Sequence, residues 1–208
     1  HMGVQNAFLV NSKDPLALQY NDRSVLENFH CSRLFSVLNQ RGCGLLDGLS
    51  VEQYKAVRKM IVDMILATDL KNHFEDMSAF KNRVSRQAQQ PWSSEEEKDR
   101  SMAVCMVLHA ADLSGPARPW PVSLAWASKV QEEFENQVAA EKSLGIPVTT
   151  FLTADKAKLE TGFIELFTRP VWQELAKMLP ELADRVACIQ ENYGRWSAEL
   201  DPPPASPS

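Results

Sequence analysis

Apolar residues in this chain recur at helical spacing from end to end, and that period leaves one fold class open. The clearest case follows Ser50-Val51-Glu52-Gln53. This is an S-x-x-Q capping box, in which a serine oxygen and a glutamine side chain satisfy amides that a helix start leaves unpaired. Val57, Met60, Ile61, Met64 and Ile65 then fall at i, i+3, i+4, i+7 and i+8 and predict one buried face. Alternating strand patterns and Asn-Gly hairpin turns are absent, so the fold reads as all-α.

Further helix starts and stops divide the rest. A helix opening at Ser24-Val25-Leu26-Glu27 carries Leu34, Phe35 and Leu38 to a stop at Arg41-Gly42-Cys43-Gly44. Another follows Pro91-Trp92, begins among Glu95, Glu96 and Glu97, and ends near Ser114 before Gly115-Pro116. A longer one, from about Val122 to Ser143, carries Trp126, Val130 and Phe134 on one face and stops at Gly145-Ile146-Pro147. Two or three more fill 154–200, interrupted near Arg169-Pro170 and Pro180. Residues 1–200 read as one domain. The Pro- and Ser-rich tail, 201–208, reads as disordered.

Composition narrows function by exclusion. The 208 residues are 44% hydrophobic and 24% charged, a globular balance, and no apolar run reaches membrane-spanning length. Lys+Arg 22 against Asp+Glu 27 gives a formal charge of −5 without a basic run, so nucleic acid is not an expected partner. Cys31, Cys43, Cys105 and Cys188 form no C-x-x-C pair; a disulfide framework and a zinc ribbon are not expected, and a reducing, cytoplasmic setting is. No P-loop, dinucleotide-binding or nucleophile-elbow motif occurs.

The histidines carry the chemical signal. Glu27 and His30, Asp69 and His73, and His109 and Asp112 are spaced to share helix faces. Carboxylates and imidazoles projecting from several helices are how bundles hold catalytic metals. The plain structural alternative puts Glu27 in a capping box, His73 at a helix terminus and His109 in a hydrogen-bonded core position. Asp112 fits that alternative least, because it follows the apolar stretch Met102–Ala111 and is expected to be buried with a partner. Trp126, Phe134, Phe163 and Trp172 read as core by default, and 94–99 as a solvated face.

Five ordered motifs then add a resemblance. Gly3-Val4-Gln5-Asn6-Ala7-Phe8-Leu9-Val10, Tyr20-Asn21-Asp22-Arg23-Ser24-Val25-Leu26-Glu27-Asn28, Ile65-Leu66-Ala67-Thr68-Asp69, His109-Ala110-Ala111-Asp112-Leu113-Ser114, and Gly162-Phe163-Ile164 followed by Arg169-Pro170-Val171-Trp172 resemble the catalytic domain of class I cyclic nucleotide phosphodiesterases. The resemblance implies an all-helical enzyme that hydrolyses cAMP or cGMP at a centre of zinc with magnesium or manganese. By that resemblance Asp112 is a metal ligand, Glu27 orients metal-bound water, and His1 matches a histidine of the family's H-x-G-x-x-N pattern. Phe163 stacks on the purine, Val130 forms the opposite wall and Phe134 lies nearby.

The family's remaining metal histidines and its general-acid histidine fall before residue 1. The chain therefore reads as the C-terminal part of a phosphodiesterase domain lacking its N-terminal helices, inactive by itself and prone to homo-oligomers through bared apolar surface. Inside the matched region, Glu160 stands where the family has a purine-binding glutamine, Gly115 replaces an asparagine and Phe29 a histidine. Glu160 motivates an alternative: a degenerate phosphodiesterase-like domain that binds nucleotide or partner without turnover. A plain helical interaction domain is the second alternative.

Overall fold

The Ser50 box forms as its residues dictate. Gln53 N donates to Ser50 Oγ at 3.2 Å and Ser50 N donates to Gln53 Oε1 at 2.9 Å, starting a helix over Val51–Leu66. The computed structural model describes residues 2–201, all of them helices and connecting turns. His1 and the tail 202–208 lie outside the described residues. By contact density the chain divides into two units, His1–His109 and Ala110–Ser208.

The first unit holds α1 (Asn6–Asn11), α2 (Pro15–Gln19), α3 (Val25–Leu38), α4 (Val51–Leu66), α5 (His73–Val84) and most of α6 (Glu97–Asp112). Leu9, Ala17 and Val25 form a buried cluster joining α1, α2 and α3. The start of α3 departs from the capping-box expectation. Ser24 is left-handed (φ 43°), makes no cap bond, and donates its hydroxyl to Asp69 Oδ2 at 2.7 Å. Asn6 caps α3 instead: its Oδ1 accepts from Leu26 N at 2.8 Å and its Nδ2 donates to Glu27 Oε2 at 2.9 Å. A side chain distant in sequence supplies the acceptor that Ser24, turned away, cannot.

The apolar stripe of α4 exists but is only half-buried, with no fully buried residue on that helix. Its main packing is against α3, and Lys59 also reaches Glu97 of α6 at 3.8 Å, yet so wide a stripe stays partly uncovered. On α3, Phe35 is buried whereas Leu34 is exposed. The stretch 94–99 is not wholly solvated. Asp99 accepts from Arg83 Nε at 2.7 Å and Nη2 at 2.6 Å, and from Ser93 N at 3.0 Å. Arg83 also donates to the Gln90 and Pro91 carbonyls and lies 4.3 Å from the Trp92 ring centroid, so one guanidinium fixes the connection from α5 to α6.

The second unit holds α7 (Trp120–Leu144), α8 (Lys156–Phe163), a π-helical turn (Ile164–Thr168), α9 (Arg169–Met178) and α10 (Ala183–Leu200). Ile164, Val171, Leu175, Ile189 and Trp196 are among its deepest apolar residues. Asn192 on α10 donates to the carbonyls of Pro116 and Arg118, each at 2.8 Å, and so holds the 3₁₀ turn Gly115–Ala117. Gly145 ends α7 at φ 66°, a conformation that favours glycine.

Candidate active site

In the second unit, α7 and α8 enclose a cavity of about 740 Å³, a volume suited to a small-molecule ligand. From α7 it takes Ser123, Trp126, Ala127, Val130 and Phe134. These lie at i, i+3, i+4, i+7 and i+11, one helical face. Glu160, Phe163 and Phe167 line it from α8 and the π turn, and Asp112 from the last residue of α6. The loop after α7 adds Phe151, whose ring meets Phe134 edge-on at 6.3 Å. That loop is tied back to α7, because Thr149 N and Oγ1 donate to the two oxygens of buried Glu141 at 2.8 and 2.7 Å.

Five residues singled out from the sequence, Asp112, Val130, Phe134, Glu160 and Phe163, thus line one cavity. Trp126 is a sixth, so that it, Phe134 and Phe163 line the cavity rather than fill the core, whereas Trp172 is buried as the default reading expected. Asp112 is exposed, against the expectation of burial. The apolar stretch before it buries Met106, His109 and Ala110 on one side, and Val107 and Ala111 face out, so Asp112 emerges on the open side.

Glu160 is shifted. Burial pushes its carboxyl up to about 7, against the opposing pull of the Lys156 ammonium. Ser123 is 2% exposed and its hydroxyl has no hydrogen-bond partner. Sequence reading missed Ser123, although its α7 spacing from Ala127, Val130 and Phe134 was available. Phe151 lies in a 3₁₀ turn, Thr150–Thr153, too short to give a periodic signal.

The other candidates lie in the first unit. Glu27 is buried and held by Asn6, and His1 is outside the described residues. His109 does not turn to Asp112; its Nε2 lies 2.9 Å from Nδ1 of His73, both rings nearly inaccessible. Asp69 is buried as well, accepting from Ser24 Oγ and, at the 3₁₀ turn Leu70–Asn72, from Lys71 N. Asp69, His73 and His109 thus bind the interior of this unit together.

Among the described residues no group of three or more His, Cys, Asp or Glu side chains comes together to hold a metal ion. A catalytic zinc takes about three protein ligands, so the described donors do not by themselves fit a metal centre. The four cysteines are free. No helix among the described residues is long and apolar enough to cross a membrane.

The sequence profile described as 3′,5′-cyclic nucleotide phosphodiesterase matches residues 1–189. The chain belongs to the 3′,5′-cyclic nucleotide phosphodiesterase family. Among its relatives, the Dictyostelium discoideum 3′,5′-cyclic-nucleotide phosphodiesterase regA is 36% identical over 97% of this chain and 25% of its own length. The cGMP-specific 3′,5′-cGMP phosphodiesterase 3 of the same organism is 37% identical over 95% of this chain and 42% of its own. The rat 3′,5′-cyclic-AMP phosphodiesterase 4C is 31% identical, covering 100% of this chain and 39% of the relative. The chain therefore spans less than half of each of these phosphodiesterases. The phosphodiesterase domain of Salpingoeca rosetta rhodopsin phosphodiesterase superposes with a TM-score of 0.90 at 34% identity, over 97% of this chain and 62% of that one. The helical phosphodiesterase-like fold expected from the sequence is the fold observed.

Proposed function

We propose that this chain is part of a phosphodiesterase that hydrolyses 3′,5′-cyclic nucleotides to 5′-monophosphates, and that the α7–α8 cavity receives the nucleotide. The observation that carries the reading is that Asp112, Val130, Phe134, Glu160 and Phe163 line that one cavity. Phe163 offers a face for stacking on the purine, Val130 the opposing wall, and Phe134 apolar depth. Glu160 meets the edge of the base. Asp112, exposed at the lining, is the donor this chain offers towards zinc with magnesium or manganese; further donors must come from outside the described residues. Glu27 is assigned to orienting the attacking water, and His1 to the metal-histidine position that its match implies. The four free thiols support a reducing, cytoplasmic setting. The half-buried stripe of α4 supports self-association.

A second reading, a phosphodiesterase-like domain that binds nucleotide without turnover, is motivated by Glu160, a half-buried carboxyl on the cavity wall. Calorimetric titration of the 208-residue chain with cAMP and cGMP tests the shared part. Binding that Phe163→Ala weakens about tenfold is the expected result, and no binding of either nucleotide would overturn both readings. Zinc and magnesium titrations with a hydrolysis assay separate them. The chain alone is expected to bind metal weakly and turn nothing over, and chelator-sensitive turnover would show that its own residues complete the site.

A further inference from the structure

Ser123 and Glu160 are the polar residues that α7 and α8 bring to the same cavity at half-buried or buried positions, amid Trp126, Ala127, Val130 and Phe163. The Ser123 hydroxyl, buried and unpartnered, has a donor to give to a ligand. The Glu160 carboxylate has two acceptor oxygens side by side. We propose that these two residues make the cavity guanine-preferring, the Glu160 carboxylate accepting from ring N1–H and exocyclic N2–H while the Ser123 hydroxyl donates to O6 of the same base. This rests on the cavity being the nucleotide site.

The chemistry separates the two purines. Guanine presents two adjacent donors and an acceptor along one edge, the complement of a carboxylate beside a hydroxyl. Adenine presents one donor, N6–H, next to the N1 lone pair, so a carboxylate that accepts from N6–H sets its other oxygen against N1. Two acceptors facing each other in a partly desolvated pocket cost roughly ten- to a hundredfold in binding. A neutral carboxylic acid removes that conflict, because its O–H can donate to adenine N1 while its carbonyl accepts from N6–H.

Protonation therefore sets the preference. Glu160 changes state near pH 7, inside the range where binding can be measured. Among the charged groups of α8 itself and of the packed elements α7, α10 and the π turn, Lys156 is the one whose field acts on it. Lys158, Arg118 and Asp112 are the other charged residues of the cavity lining, and the α7 face contributes none. Below pH 7 the acid accommodates either base; above it the carboxylate selects guanine.

The test is calorimetric titration of the 208-residue chain with cGMP, cAMP and cyclic IMP, which keeps N1–H and O6 but lacks N2–H, at pH 6 and pH 8.5. The expected result is a cGMP-to-cAMP affinity ratio that rises about tenfold between the two pH values, with cyclic IMP between the two. Glu160→Gln should make the ratio independent of pH, and Ser123→Ala should weaken cGMP severalfold at pH 8.5. Cyclic IMP probes the same contacts without altering the protein, so a variant that fails to fold leaves the test intact. Binding with a ratio constant in pH, or cyclic IMP equal to cGMP at pH 8.5, would overturn the inference and leave the nucleotide site standing. Failure of all three nucleotides to bind at either pH would overturn both.

Discussion

His73 Nδ1 and His109 Nε2 lie 2.9 Å apart in the interior of the first unit. Such a bond needs one ring to donate and the other to accept, so it survives only while at least one imidazole is neutral. Burial pushes His109 below its ordinary value of 6.5, against a weaker upward pull from the Ala67 carbonyl. The unfolded chain then takes up this proton more readily than the folded one. Stability is present above about pH 6.5 and lost as pH falls through the lower folded value. Denaturant unfolding between pH 8 and 5.5 should show this decline. His109→Gln should cost about 1–3 kcal/mol at pH 8 and flatten the acid slope; an unchanged slope would assign the decline to other groups.

Glu160 reverses that sign. Its carboxyl rises from 4.5 to about 7 on folding, so the folded chain holds the proton more tightly. Its own contribution to stability is full below pH 4.5 and is lost as pH climbs through 7. With allowance for solvent at the cavity, Glu160→Gln should stabilise the protein by about 1–3 kcal/mol at pH 8.5 and by little at pH 4.5. Melting curves of both proteins at the two pH values check this without nucleotide or metal.

Asp69 and Asp112 should part company under substitution. Asp69 is buried and accepts from Ser24 Oγ and Lys71 N, so Asp69→Ala should cost about 2–3 kcal/mol in urea unfolding. Exposed Asp112 should change stability by less than about 1 kcal/mol as alanine, yet lower zinc affinity. Equal stability losses, with zinc affinity untouched by Asp112→Ala, would sink the metal-donor role.

Asn192→Ala strands two carbonyls, those of Pro116 and Arg118. A destabilisation of about 2–3 kcal/mol is expected, together with faster hydrogen exchange in residues 114–118. Exchange confined to α10 would show that the turn is held by something else.

Much of this architecture was legible in the sequence, and the exceptions share a physical cause. The Ser50 box needed only neighbours in sequence, so its four residues sufficed. Ser24 carried the same signature and failed, because Asp69 and Asn6, distant along the chain, competed for the same groups. Asp112 was misplaced because an apolar run says that a helix is buried without saying on which side its last residue emerges. Val130, Phe134, Phe163 and Glu160 were found through motif resemblance. Ser123, small and polar within an ordinary helical stretch, becomes conspicuous only once its hydroxyl is seen to lack a partner.

The π turn over Ile164–Thr168 acts like a frameshift read in three dimensions. Upstream of it, Glu160 and Phe163 face the cavity; downstream, Val171, Trp172 and Leu175 face the interior. The same five residues wound as ordinary α-helix would swing everything after them by about 100°, the rotation of one residue. The indole of Trp172 would then leave the interior without a single side chain having changed identity. Substitutions at exposed Glu165 or Leu166 alter local chemistry, but the winding of this segment sets the phase between cavity and core.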